Sequence, residues 1–239
     1  MHHRSVHLVA VLSAALVALL LPAAAAADVV ELRVEGPRDT VFQGSVRPLT
    51  GDLTDQDGNV HTTARETPLG ALLRASDRRG FPVEHSWFDC CGGGWAGFFV
   101  NSIAGTPGDA SHFWALKIGR TLAPAGAGAI AIRQGRTAFF YWTRFDQDTG
   151  ATQPTLGVKA SDRSVAPNRP VTFTVRSYDD AGDARRAQGA VVWAGGLGAG
   201  TGLDGKVSLR FRSAGRHCVE ATRRGAIRSQ SLCVTVSSP

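Results

Sequence analysis

The chain has 239 residues, a formal net charge of +6, four cysteines and a hydrophobic content of 43%, which is enough for real cores in one large or two small domains. Its cations are spread as singles and pairs such as Arg78-Arg79, Arg185-Arg186 and Arg223-Arg224. A reader of nucleic-acid phosphates concentrates its charge, so that class is set aside; attraction to an acidic cell wall or membrane surface stays open beside the plainer reading of a solvated arginine-rich surface.

In chain order, Arg4 with His2, His3 and His7 forms a weakly basic head, and an apolar run to Leu21 follows, broken at Pro22. Ala25-Ala26-Ala27 supplies an A-x-A cleavage site, so residues 1–27 read as an export signal and the mature chain begins near Asp28 with a net charge of +5. No second apolar run of spanning length follows, and the expectation is a protein secreted or held at the cell surface without a transmembrane segment.

Val30, Leu32 and Val34 alternate with Glu31, Arg33 and Glu35, the period of a half-buried strand; Thr40 to Val46 reads as a second. The polar stretch from Thr50 to Arg65 reads as a loop or irregular hairpin around Asp57-Gly58-Asn59. Thr67 is a good N-cap and Pro68 a good first helical residue, with Leu69, Leu72 and Leu73 on one face, so a short amphipathic helix is predicted to end before Gly80. Strands are then predicted over Val83 to Phe88, Phe98 to Ile103, Phe113 to Ile118, Ala129 to Arg133 and Thr137 to Trp142. This first unit, 28–145, has an α+β pattern. Residues 146–155 carry no large apolar side chain and read as a linker. The second unit, 156–239, carries only strand signals: Leu156 to Ala160, Val171 to Arg176, Ala190 to Ala194, Val207 to Phe211, His217 to Thr222 and Ser231 to Val236, which suits a small β-sandwich.

Four cysteines in an exported chain read first as disulfides. If Gly225-Ala226 is a two-residue hairpin turn, counting outward sets Cys218 opposite Cys233, a staple of the last two strands. Cys90 and Cys91 are then left with each other in Phe88-Asp89-Cys90-Cys91-Gly92-Gly93-Gly94-Trp95. Bonding between neighbours is strained, though three glycines give the backbone freedom for it; the alternatives are a bond to another chain or two free thiols. A catalytic thiol would need a base, for which His85 and His112 are the candidates. Asp52, Asp55, Asp57 and Asn59 cluster like calcium ligands without the spacing of a calcium loop. The scattered histidines His61, His85, His112 and His217 lack zinc spacing, and no metal or cofactor is predicted. Gly92 to Gly97 and Gly200 to Gly205 match G-x-G-x-x-G, yet each leads into a strand, so neither cradles a phosphate.

The aromatics say more. On a strand, Phe139 and Tyr141 point one way and Phe140 and Trp142 the other, so both sets cannot fill one core. Trp95, Phe113, Trp114, Tyr141 and Trp142 are therefore the candidate binding residues, against the alternative that packing absorbs them.

The order of two strands, the Thr67-Pro68-Leu69-Gly70-Ala71-Leu72 helix, Phe99 to Gly105, Phe113 to Gly119, Gly126-Ala127-Gly128, Arg133-Gln134-Gly135 and Tyr141-Trp142 resembles a bacterial domain of unknown function related to the C-terminal β-domain of transcobalamin and intrinsic factor. The resemblance covers residues 28–145 and implies a β-grasp-like fold. The turn Ile118-Gly119-Arg120 departs from the V-N-G-like turn of that family. The helical barrel that holds cobalamin in those carriers has no counterpart here, so a corrinoid ligand is a distant implication. The second unit, with Ala166 to Val171, Leu203-Asp204-Gly205-Lys206-Val207 and Ala214 to Val219, is similar to bacterial immunoglobulin-like domains. The expectation is α+β: a β-grasp-like domain with one main helix, then an all-β immunoglobulin-like sandwich. Its expected role is non-enzymatic recognition of a small ligand or cell-envelope component, secreted or at the cell surface. The rivals are an exported thiol-dependent enzyme or redox protein using Cys90 or Cys91, and a structural spacer of the envelope.

Overall fold

The computed structural model describes residues 29–62, 66–89 and 96–238. The export segment 1–27, the Cys90–Cys91 pair and Trp95 lie outside the described residues. The strands are β1 (Val30–Glu35), β2 (Thr40–Val46), β3 (Leu53–Thr54), β4 (Val60–His61), β5 (Val83–Phe88), β6 (Gly97–Ile103), β7 (Thr106–Pro107), β8 (Phe113–Ile118), β9 (Thr121–Leu122) and β10 (Thr137–Thr143) in the first half. The second half holds β11 (Thr155–Ala160), β12 (Ser164–Val165), β13 (Pro170–Tyr178), β14 (Ala184–Arg186), β15 (Val191–Ala194), β16 (Leu197–Gly200), β17 (Lys206–Arg210), β18 (Gly215–Thr222) and β19 (Leu232–Val236). One helix, α1 (Pro68–Arg79), is present among the described residues, and no helix there is long and apolar enough to cross a membrane.

The first half is built on the sheet β2-β1-β10-β8-β9, in which β1 runs parallel to β10 and the other neighbours are antiparallel. Helix α1 starts where its sequence dictates: Thr67 Oγ1 accepts from Gly70 N at 2.9 Å, Pro68 occupies the first turn, and left-handed Gly80 closes it by donating to Ser76 O at 2.7 Å. Its Leu69, Leu72 and Ala75 are fully buried with Leu32, Val34, Phe98 and Phe140 from the sheets. Each large side chain so buried contributes about 1.5–3 kcal/mol. Two small sheets, β3-β4 and β5-β6-β7, complete this half.

The expected α+β, β-grasp-like class is corrected by this structure. Strands make up 48% of it and helix 6%, distributed over several sheets, so the chain is mostly β. The physical reason is that the one 12-residue helix is flanked by residues that pair into two further sheets, β3-β4 and β5-β6-β7, so strand outweighs helix in this half as well. The strand expected from Ala129 to Arg133 is also absent: Ile132 N donates to Glu66 O at 2.7 Å and Ala127 N to Phe98 O at 3.0 Å, isolated bonds that pin a loop across the core.

The second half is a two-sheet sandwich. One sheet is β11-β13 with β14 and β17 both on the far side of β13, and the other is β12-β19-β18-β15-β16 with β12 parallel to β19. Alternation along β13 puts Val171, Phe173 and Val175 into the core opposite Val192, Val219 and Val234. Cys218 and Cys233 face each other in the β18–β19 ladder and are disulfide-bonded across 15 residues, but the two-residue turn expected at Gly225-Ala226 is replaced by a loop over 223–231, because Ile227 bridges Thr155 instead of facing Arg224.

Candidate functional site

The two faces of the first sheet have different fates. Phe140, Trp142, Trp114 and Leu116 face α1, whereas Arg33, Glu35, Ala115, Lys117, Phe139 and Tyr141 face the second half. The conflict seen in the sequence is thus resolved by a second core: Ala115, Phe139 and Tyr141 cluster against Phe113, Leu122 and Ile227. Two turns of the sandwich grip this face. From the loop between β18 and β19, Arg228 donates to Glu35 and to the carbonyls of Arg38 and Gly36, and its own carbonyl accepts from Arg33 at 2.7 Å. Glu35 also accepts from Arg33 at 2.7 Å and from Thr40 at 2.9 Å, so its buried carboxylate is fully partnered. From the β13–β14 turn come the acceptors of Lys117: Asp179 O at 2.8 Å and the Asp180 carboxylate at 3.5 Å. Burial pushes the Lys117 ammonium down from its ordinary value, against the pull of Asp180. Tyr141 donates to Thr152 Oγ1 at 2.9 Å, because Thr152 spends its own proton on Asp180 at 2.5 Å. Burial pushes the Tyr141 phenol well up.

Beside this junction lies an apolar groove of about 270 Å³. Its walls are Phe98 and Phe99 of β6, Phe113 and Trp114 of β8, Phe145, and the segment Leu122 to Ala127. The groove exists because β9 pairs only with Lys117 and Ile118, so that among the described residues no strand hydrogen-bonds to the rest of that β8 edge. Leu116 O accepts from Ala123 on the side away from β10, and alternation turns the Trp114 backbone to that same open side. The opposite wall approaches closely at Gly126, where a Cβ would stand 2.7 Å from Phe98 O, so only glycine fits. Phe99 is 40% and Phe145 52% exposed, and Phe145 stacks on Phe113 with centroids 4.2 Å apart. A more polar cleft of about 500 Å³, lined by Ser111, Arg144, Asp146, Gln147 and Gln153, adjoins the groove at Phe145 and Thr152.

Of the predicted binding residues, Phe113 and Trp114 line the groove, with Trp114 Nε1 donating to Thr106 O at 2.8 Å. Trp142 packs against Trp114 and borders a separate cleft beside Arg228, and Tyr141 is sealed inside the junction. Phe99 and Phe145 were not singled out from the sequence; the exposure that marks them is a tertiary property. His85 lies edge-on to Phe98 at 5.2 Å, and His112 sits in the turn organised by Asp109. Hydrogen bonds from the Ser111 amide and hydroxyl and the His112 amide bring the Asp109 carboxyl down to about 2. Asp55 is likewise a turn organiser: its carboxylate accepts from the amides of Asp57 and Asn59 at 2.9 and 2.8 Å and meets His61 Nε2 at 2.7 Å. No group of three or more potential metal ligands stands together among the described residues.

No protein-family model matches the chain, and no curated protein matches it. Among solved structures, a polysaccharide lyase is similar at 10% identity and a TM-score of 0.31, over 75% of this chain and 29% of that one. The chain thus spans less than a third of that enzyme's length, and a likeness at this score carries no argument.

Proposed function

We propose that this is a secreted, non-enzymatic recognition protein that takes an apolar group of single-ring or side-chain size in the groove between β6 and β8. The observation that carries the reading is the convergence of the partly exposed rings of Phe99, Phe113 and Phe145 on a space backed by buried core. Solvent-facing aromatics over a rigid base gain by transferring a ligand's apolar surface out of water. A volume of about 270 Å³ falls below the 300–1,000 Å³ usual for drug-sized ligands and far below what a corrinoid requires. The occupant is therefore a small molecule or one apolar side chain of a larger partner. Export fits the apolar leader and the Cys218–Cys233 staple.

The test is a titration of the secreted protein with indole, p-cresol and cyclohexanol, followed by amide NMR. Saturable shifts at Ala123, Ala125 and Phe99 are expected, with dissociation constants of about 0.1–1 mM for ligands this small. Phe99→Ser and Phe145→Ser should abolish them while leaving the unfolding midpoint in place. Absence of saturable shifts in the wild-type chain would defeat the reading.

A further inference from the structure

The sandwich carries a second candidate surface far simpler than the groove. Along the outward side of the sheet β11-β13-β17, register sets Lys159 opposite Thr174 and Thr174 opposite Lys206, forming one row of lysine, threonine and lysine. In the next row Arg176 stands directly opposite Arg186 of β14, with Gly157 on its other flank. Arg210 closes the face at its far end, opposite Pro170. Neighbours in a row are about 4.8 Å apart and successive rows about 6.6 Å, so these five cations share a field of roughly 10 Å by 20 Å. A sixth joins them from the first half. Arg120 lies over the Tyr178 ring at 3.9 Å, and a Cβ on Gly157 would come within 2.7 Å of its guanidinium, so glycine leaves the room that Arg120 occupies.

Lys159, Arg176, Arg186, Lys206 and Arg210 are all exposed, and among the described residues none meets a carboxylate at ion-pair distance. The acids at the rim are otherwise engaged: Asp204 accepts from the Lys206 amide at 3.0 Å and Asp162 from Ser161 at 2.8 Å. Like charges directly opposite across a ladder destabilise a sheet, and a face serving solubility alone intersperses both signs. A single-sign field with an Arg–Arg cross-strand pair is therefore arranged for an anion rather than for the fold.

The face also tells what kind of anion. Its aromatic ring, Tyr178, is covered by Arg120, so bases have no platform to stack on, and its strands point no large aliphatic side chain outward to enter a membrane. Between the cations lie the hydroxyls of Thr172 and Ser208, 3.0 Å apart, suited to hydrogen-bonding a polar chain. Arginine forks match phosphate and carboxylate alike. We infer that this face binds a linear polyanion, with phosphate or carboxylate groups repeated along its length, lying across β11, β13 and β17.

The experiment titrates the secreted chain with inorganic polyphosphate, with polygalacturonate, and with phosphatidylcholine vesicles containing phosphatidylglycerol, at low and physiological salt. It uses Lys159→Thr/Arg176→Thr/Lys206→Thr and a control that removes three exposed cations elsewhere, Arg78→Ser/Arg216→Thr/Arg224→Ser. Polymer binding that weakens with salt, falls on the order of a hundredfold in the first variant and changes by less than about threefold in the control is the expected result. The polymer preferred separates phosphate from carboxylate as the source. Equal losses in the two variants, binding to vesicles without binding to either polymer, or no polymer binding at low salt would each overturn the inference. Single Arg176→Thr repeats the test should the triple variant not fold.

Discussion

Two arrays of cations use the same chemistry to opposite ends. At the junction of the halves, Arg33 and Arg228 converge on the buried Glu35 carboxylate and on backbone carbonyls, and Lys117 finds Asp179 O and Asp180. On the outer face of the sandwich, Lys159, Arg176, Arg186 and Lys206 stand in water with like charges beside them. Where a cation is buried the cost of desolvation forces a partner on it, and geometry becomes specific. Where it is exposed, no such penalty acts, and the sheet tolerates repulsion of a few tenths of a kcal/mol per pair. The first array therefore holds the fold together, and the second is free to meet something else.

The sharpest way to break this contrast is to remove the acid on which the first array converges. Glu35→Ala leaves two guanidiniums facing each other without a counter-charge and should cost about 3–5 kcal/mol, read as a lowered urea midpoint. A loss below about 1 kcal/mol would mean that the buried array is ornamental and that the contrast fails. Next in size comes Asp180→Ala. Besides meeting Lys117, Asp180 accepts from the Thr152 hydroxyl and amide, and its carbonyl accepts from Leu122 N at 2.8 Å. The substitution keeps the backbone bond to Leu122 but strips Thr152 of its carboxylate partner, and Thr152 lines the groove, so a loss of about 2–3 kcal/mol should be accompanied by weaker uptake of indole. Unchanged uptake in the destabilised variant would separate the groove from the junction.

Much of the fold was legible in the sequence where an element is long enough to show a period. The ranges of β1, β2, β5 and β8 and the cap and end of α1 follow from alternation and capping chemistry, and Cys218 stands opposite Cys233 as expected even though a loop over 223–231 replaces the two-residue turn. Strands such as β7, β9 and β12 have two residues each, and two residues carry no period. They form because a neighbouring strand offers bonds, and β3 with β4 makes a small sheet of its own in the same way. The site was half legible. Phe113 and Trp114 line the groove, and the split of Phe139 and Tyr141 from Phe140 and Trp142 was readable from their alternation. What covers Phe139 and Tyr141 was hidden, because Arg228 reaches Glu35 across 193 residues and no local pattern announces such a pairing.

Proton linkage sharpens the contrast without altering a contact. The buried Tyr141 phenol has its pKa raised. The folded state therefore keeps a proton that the unfolded chain loses near pH 10, and the stability Tyr141 contributes is intact below that pH and lost as pH climbs above it. Lys117 acts in the other sense: its pKa is lowered by burial, so stability rises with pH from that lowered value toward the unfolded one near 10.4. The joint contribution of Lys117 and Tyr141 should peak near pH 10 and then fall. Tyr141→Phe, at a cost of about 1 kcal/mol, should flatten the fall; denaturant melts across the alkaline range check it, and an unchanged fall would place its origin outside the junction.

The smallest effect has the most diagnostic sign. Arg186→Glu converts the like-charged pair with Arg176 into an opposite-charged one in the same cross-strand position. A pair of that kind contributes about 0.2–1 kcal/mol, so the substitution should raise the urea midpoint slightly while weakening binding to polyphosphate or polygalacturonate. A gain in stability coupled to a loss of binding is the signature of a surface kept for its ligand. A variant that gains stability and keeps full polymer affinity would show that the exposed array serves neither fold nor ligand. One that loses stability would mean the arginines support each other through packing of their stems on the sheet, and the two arrays would then be less different than their charges suggest.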